Sequence, residues 1–185
     1  MPRITPLPED QWTPEQRELL APMQNNKGVG EIARNLFTTL VRHPKLFKRW
    51  NVFANHILFK SSLDPVLREL AILRVAWLTQ ADYEWGQHVL IGRRSGLSDD
   101  AIRRVREGAH ADGWNDAEQA VLTAVDQLHE YAEIDAACWA SLRLHFGDNE
   151  IFDLIFTAGN YRLLAGFIKS IEIQRDASVP GLEQP

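Results

Sequence analysis

The sequence predicts an all-α fold, and three observations carry that prediction. Apolar residues recur at helical spacing over much of the chain, as in Leu46, Phe47, Trp50, Phe53, Ala54 and Ile57; residues three and four apart share one helix face. Helix-start signals also recur: Thr13-x-x-Gln16, Asp64-Pro65, Ser98 before two aspartates, and Asn115-x-x-Glu118. A short polar side chain accepts from the free amides of the first turn, and proline suits the first helical position. No Asn-Gly or Asp-Gly turn separates two alternating stretches; Asp112-Gly113 lies between helical segments. The expectation is one domain, a bundle of about eight to ten helices, since 185 residues suffice for one sizeable core.

Residues 1–12 read as an extended arm, because Pro2, Pro6 and Pro8 oppose a helix. Thr13 starts the first helix, and residues 25–30 form a loop. A helix from Glu31 carries Ile32, Leu36, Thr39 and Leu40 and stops near His43, before Pro44. The next runs from Pro44 towards Phe59. Asp64-Pro65 opens a helix that bears Glu69 and ends near Leu78. A short break leads to a helix opening at Asp82 and ending at Gly96, a left-handed cap. Ser98 caps a short helix ending near Gly108, Asn115 starts one reaching about Tyr131, and Asp135 starts one that stops at Gly147. The last helix spans about Asn149 to Gln174 and is apolar over more than one face, as expected of a central or subunit-buried helix. Residues 176–185 read as a mobile tail.

Composition narrows the function. The formal net charge is −5, against the basic face a nucleic-acid binder needs. The short basic runs Arg93-Arg94 and Arg103-Arg104-Val105-Arg106 have acids nearby and read as solvated helix faces. Cys138 is the only cysteine, so no intramolecular disulfide and no cysteine zinc site can form. A cytoplasmic protein is expected. The first residues carry no apolar signal run, and no membrane span of roughly 20 apolar residues is expected.

The segment from Arg68 to Leu97 holds the chemistry. Glu69 sits in an otherwise apolar helix, ahead of Leu70, Ala71, Ile72 and Leu73. The following helix opens Asp82-Tyr83-Glu84-Trp85 and reaches His88. Glu84 and His88, four apart, share a face, and a carboxylate beside an imidazole can fix its tautomer and relay protons. Burial would raise the pKa of Glu84 and its place in the first helical turn would lower it, so the sign stays open at this level. The bland reading is a buried histidine satisfied by Glu84, with Glu69 a surface acid.

Glu69, Tyr83 and His88 follow a spacing that resembles the active-site segment of the carboxymuconolactone decarboxylase and alkylhydroperoxidase D superfamily. The resemblance covers roughly residues 36–173, and its specific part is 69–96. It implies the alkylhydroperoxidase D-like all-α fold, with Glu69, Tyr83, Glu84 and His88 at the site. In the peroxidase branch a glutamate and a histidine activate a cysteine thiolate, but the two cysteine positions here read Ala81 and Glu84. Dithiol peroxide reduction is therefore excluded by composition. The decarboxylase branch needs neither thiol nor metal, and implies a carboxylated lactone from aromatic-compound breakdown as substrate. His88 would deliver the proton, Glu69 or Glu84 would set its protonation, and Arg74 or Arg162 would hold a substrate carboxylate, although an ordinary ion pair explains either arginine. The expectation is a cofactor-free, metal-free carbon-carbon lyase or related proton-transfer enzyme. Its partners would be a small molecule and its own copies, as a trimer or hexamer, without nucleic acid or membrane. The alternative is a non-catalytic binding or assembly member of the fold; a hydroperoxidase ranks below both.

Three other motifs have plainer readings. Gly28-Val29-Gly30-Glu31-Ile32-Ala33 matches a dinucleotide fingerprint as a string, but no strand precedes it. His129 and Glu133 share a polar helix face rather than a metal site. His56 lies beside the Trp50/Phe53/Ile57 stripe, which reads as core or interface.

Overall fold

The computed structural model describes residues 1–25, 33–177 and 179–184. The loop and fingerprint string at 26–32, and the expected start of the second helix at Glu31, lie outside the described residues. Among those described, the secondary structure is helical throughout: α1 (Pro14–Asn25), α2 (Arg34–Leu40), α3 (Pro44–Phe59), α4 (Pro65–Leu78), α5 (Asp82–Ser95), α6 (Asp99–Val105), α7 (Asp116–Tyr131), α8 (Ala136–His145) and α9 (Asp148–Ile171).

The start signals act as read. Thr13 and Gln16 exchange side chain-to-backbone bonds ahead of α1, Asp64 accepts from the amides of Val66 and Leu67, and Asn115 and Glu118 close a capping box. Gly96 ends α5 at φ 110°, where a side chain would crowd the backbone.

The centre of the fold is α4, which packs against α5, α7 and α9. Residues Arg68 to Ala76 of α4 are buried without interruption, so this helix has no solvent face and behaves as a core element. Leu70 and Leu73 meet Trp85 and Val89 of α5, while Ala71, Ile72 and Val75 meet the inner faces of α7 and α9. A third cluster, Trp12, Leu20, Leu40, Val41 and Phe47, ties the N-terminal arm to α1, α2 and α3. The arm makes one 3-10 turn, Glu9–Gln11; the backbone amides of Leu7 and Arg3 pair with Thr38 and Ile171.

Two expectations need correction. The segment beyond α9 is docked rather than loose. Leu182 donates its backbone N–H to Asp82, Trp85 donates its indole N–H to the Gln184 carbonyl, and Arg175 pairs with Asp82. Asp82 and Trp85 thus give the chain end polar anchors beside the buried Ile173. Second, α9 is long and apolar enough to cross a membrane by length and composition, which the sequence reading missed. Its apolar character serves the core: Ile151, Leu154, Ala158, Leu164, Ala165 and Ile168 are buried.

Candidate active site at the α4–α5 pair

The break between α4 and α5 is short. Gln80 takes φ 53°, and the reversal lays α5 back along α4. Glu69 and His88 thereby face each other, and His88 Nδ1 lies 2.7 Å from Glu69 Oε2. The other carboxylate oxygen accepts from Arg68, at 3.1 Å from Nε and 3.0 Å from Nη2. This cluster is withdrawn from water: relative exposure is 0% for Glu69, 7% for Arg68 and 6% for His88. Paired with a guanidinium, the Glu69 carboxylate can accept from an Nδ1–H of His88, the tautomer that would leave Nε2 free to accept. The ring of Tyr161, from α9, stands edge-on to the imidazole at 4.7 Å and 88°, which fixes the imidazole plane.

Glu84 lines the same space but does not hold His88. Both its oxygens are buried without a hydrogen-bond partner among the described residues, so the carboxylate that contacts the imidazole is Glu69, not Glu84. The reason is the location of the cation: Arg68 reaches Glu69, and among the described residues no charged side chain pairs with Glu84. Burial alone holds the Glu84 carboxyl well above the usual carboxylate range.

Tyr83 ties α5 to α2 and to the segment beyond α9. Its hydroxyl donates to Asp176 Oδ2 at 2.7 Å and accepts from the Leu36 amide at 3.2 Å. Gln87 donates to the same Asp176 oxygen at 2.8 Å, and the Asn35 amide donates to Oδ1 at 2.9 Å. Burial, then the neighbouring Asp176, push the Tyr83 phenol upward, so it stays protonated. Asp176 thus clasps α5 to α2. At Gly86, one turn along, an added Cβ would lie 2.1 Å from the Pro180 carbonyl oxygen, so glycine is what lets the chain end approach α5.

These residues border a cavity of about 180 Å³. His88, Glu84, Gln87, Tyr83, Asn160 and Tyr161, with Asn51 and Asn55 of α3, supply its polar wall; Leu36, Phe37, Trp50, Leu58, Ile91 and Leu164 supply much of the rest. No lysine or arginine lines it among the described residues.

The other singled-out residues lie elsewhere. Arg74 is held by Asp126 at 2.6 Å and by the Val105 carbonyl. Arg162 donates to the backbone carbonyls of Leu128 and His129. His56 pairs with Asp153 at 3.1 Å, and Cys138 is buried between α7 and α8.

Sequence reasoning missed Arg68 and Asp176. Adjacent helical residues point about 100° apart, so Arg68 next to Glu69 gave no pairing signal. Asp176 was assigned to a loose tail. A lone carboxylate just beyond a long apolar helix is the only signal that could have found it.

Against solved structures, the chain superposes on an uncharacterized peroxidase-related protein of Ralstonia eutropha, an alkylhydroperoxidase AhpD core, with TM-score 0.79, 19% identity and 94% and 93% of the two chains covered. The fold is that of the alkylhydroperoxidase D core. Residues 44–127, from α3 into α7, match the model of the carboxymuconolactone decarboxylase family. Within the same fold lie a protein of unknown function from Agrobacterium tumefaciens described as a putative antioxidant defence protein AhpD (TM-score 0.68, 23% identity, 72% of this chain and 92% of that one). The debrominase Bmp8 in complex with 2,3,4-tribromopyrrole also shares it (TM-score 0.76, 17% identity, 94% and 91%). No curated protein matches the sequence significantly.

Proposed function

We propose that the protein is a cofactor-independent proton-transfer enzyme acting on a small cyclic carbonyl compound, with His88 as general base and acid. The observation that supports this most strongly is the 2.7 Å Glu69–His88 contact at the wall of an apolar cavity. Glu69 and Arg68 hold the imidazole with Nε2 basic. That nitrogen takes a proton from carbon next to the substrate carbonyl, the electron pair moves onto the oxygen, and the imidazolium returns the proton to the same or a conjugated carbon. Its positive charge is balanced by Glu69 during the step. A ring-sized ligand suits the cavity, and the debrominase of the same fold is known with such a ligand.

Decarboxylation of a carboxylated lactone, which the family's description suggests, is the second reading. It needs a cation for the substrate carboxylate. Arg68 is engaged by Glu69, Arg74 by Asp126, and Arg162 by backbone carbonyls, so the proton-transfer reading is preferred. The non-catalytic alternative shares the pocket and lacks the turnover.

The test is carbon-bound hydrogen exchange in D2O, followed by NMR over a panel of cyclic ketones and unsaturated lactones, beside carbon dioxide release from carboxylated lactones. Wild type should exchange at least one uncharged member. His88→Gln should lose about 10²–10⁴ in rate with its melting temperature nearly unchanged. Carbon dioxide release without exchange would favour the lyase reading. Exchange untouched by His88→Gln would make the histidine structural.

A further inference from the structure

The proton-transfer reading gives Glu84 no task, yet Glu84 is the most anomalous group in the cavity. It has 2% relative exposure, and neither oxygen has a hydrogen-bond partner among the described residues. One turn along the helix, Gln87 gives its amide N–H to Asp176, and its Oε1 is likewise buried and unpartnered. Both residues line the cavity wall beside His88. Orphaned buried polar atoms of this kind are uncommon, because each forfeits hydration without compensation. Two neighbouring ones on the polar side of a largely apolar cavity form half of a hydrogen-bonding pattern whose other half is the ligand.

We propose that Glu84 is the specificity-determining residue of the cavity: a neutral carboxylic acid that takes an uncharged cyclic ligand by a paired donor and acceptor, and discriminates against carboxylates. A protonated carboxyl offers one O–H donor and one carbonyl acceptor in a single plane. A ring carrying C=O beside N–H, as in a cyclic amide, or C=O beside O–H, satisfies both at once, with Gln87 Oε1 available for a further donor. An anionic carboxylate would bring charge into a cavity whose described lining has no lysine or arginine, a burial that is costly without a partner. The acid also suits the chemistry proposed for His88: as charge develops on a carbonyl oxygen, a donor already pointed at it stabilises the enolate without solvent reorganisation. Burial favours the neutral form of Glu84, in keeping with this role.

The inference rests on the cavity being the ligand site, and its test is independent of turnover. The probe is 2-pyridone, an uncharged cyclic amide, with benzoate as the anionic ring of comparable size. Binding is read from quenching of fluorescence, to which Trp50 in the cavity wall contributes. Wild type is expected to bind 2-pyridone well above benzoate. Glu84→Leu should weaken 2-pyridone about tenfold, the loss of one to two net hydrogen bonds. Glu84→Gln, whose amide keeps one donor and one acceptor, should stay within a few-fold. Wild-type affinity should fall as pH rises and Glu84 ionises, while Glu84→Gln should show no such fall. The infrared carbonyl band of a protonated carboxyl should be present in wild type near neutral pH and absent from Glu84→Gln. Tighter benzoate than 2-pyridone binding, no 2-pyridone binding at all, an unchanged affinity in Glu84→Leu, or absence of the infrared band would each overturn the proposal. Paired binding of 2-pyridone without exchange of any ketone would leave Glu84 as assigned and refute the role of His88; exchange without the band would do the reverse.

Discussion

Glu69→Gln removes one charge from the middle of the fold while keeping its shape, and its two consequences can be measured apart. Arg68 is 7% exposed and gives two N–H groups towards Glu69. Breaking a buried pair by removing one charge costs about 3–5 kcal/mol. The amide oxygen that remains can still accept, which restores about 1 kcal/mol. A net loss of about 2–4 kcal/mol is therefore expected, or a melting temperature lower by roughly 5–15 °C for a chain of this size. The chemical consequence is distinct. An amide can turn its N–H towards Nδ1 of His88, which moves the ring proton to Nε2 and removes the base. The analogous carboxylate-to-amide change in a serine-protease triad lowers turnover about 10⁴-fold. Exchange should fall by about 10²–10⁴ in Glu69→Gln, followed by NMR in D2O beside urea unfolding. The pair Arg68→Met with Glu69→Leu should recover much of the stability and none of the exchange, because an apolar replacement of both partners leaves no orphaned charge. Stability within about 0.5 kcal/mol of wild type, the range of an ordinary surface substitution, together with undiminished exchange would refute the account of Glu69.

Glu84 should impose a pH slope on stability. Between the ordinary glutamate pKa of about 4.3 and its raised folded value, the folded state keeps a proton that the unfolded chain releases, so stability falls as pH rises, by up to about 1.4 kcal/mol per pH unit. Glu84→Gln lacks that slope and should overtake wild type above about pH 5, as urea unfolding at several pH values would show; parallel curves would mean that Glu84 ionises normally. Cys138 is buried, and burial, then Asp135, push its thiol up to about 11. Iodoacetamide should label the native protein slowly, and hydroperoxide reduction abolished by Cys138→Ser would show the thiol to be functional. Phe53 and Phe156 pack edge-on at 6.0 Å, and both are exposed, as is Phe152. Self-association across this face is expected and should be weakened by Phe156→Glu in sedimentation; a wild-type monomer at micromolar concentration would count against it.

The fold was legible because its signals are local. Asp64-Pro65, Asn115-x-x-Glu118 and Gly96 act within one turn of themselves, whereas the expectation of a central last helix did not single out α4 as the core element. The pocket wall was half legible. Glu69, Tyr83, Glu84 and His88 all border or support one cavity; the sequence left Glu69 and Glu84 both open as the imidazole's partner, and the contact is with Glu69. Helical neighbours four apart were visible; a partner 19 residues away across an interhelical contact was not. Which of two acids gains a cation depends on where Arg68 reaches, and that is a property of tertiary packing.

The clasp of Asp176 on Tyr83 and Gln87 makes the chain end a gauge of what happens in the cavity. Both side chains that grip Asp176 also border the ligand space, so an occupant that steadies them steadies the clasp. Arg175, beside it, is a trypsin target that must leave Asp82 before it can be cut. A ligand that binds only the docked form, at 100 times its dissociation constant, would stabilise that form by about 2.7 kcal/mol. Cleavage through the released form would then slow about a hundredfold. A digestion time course could thus rank candidate compounds before any reaction is known.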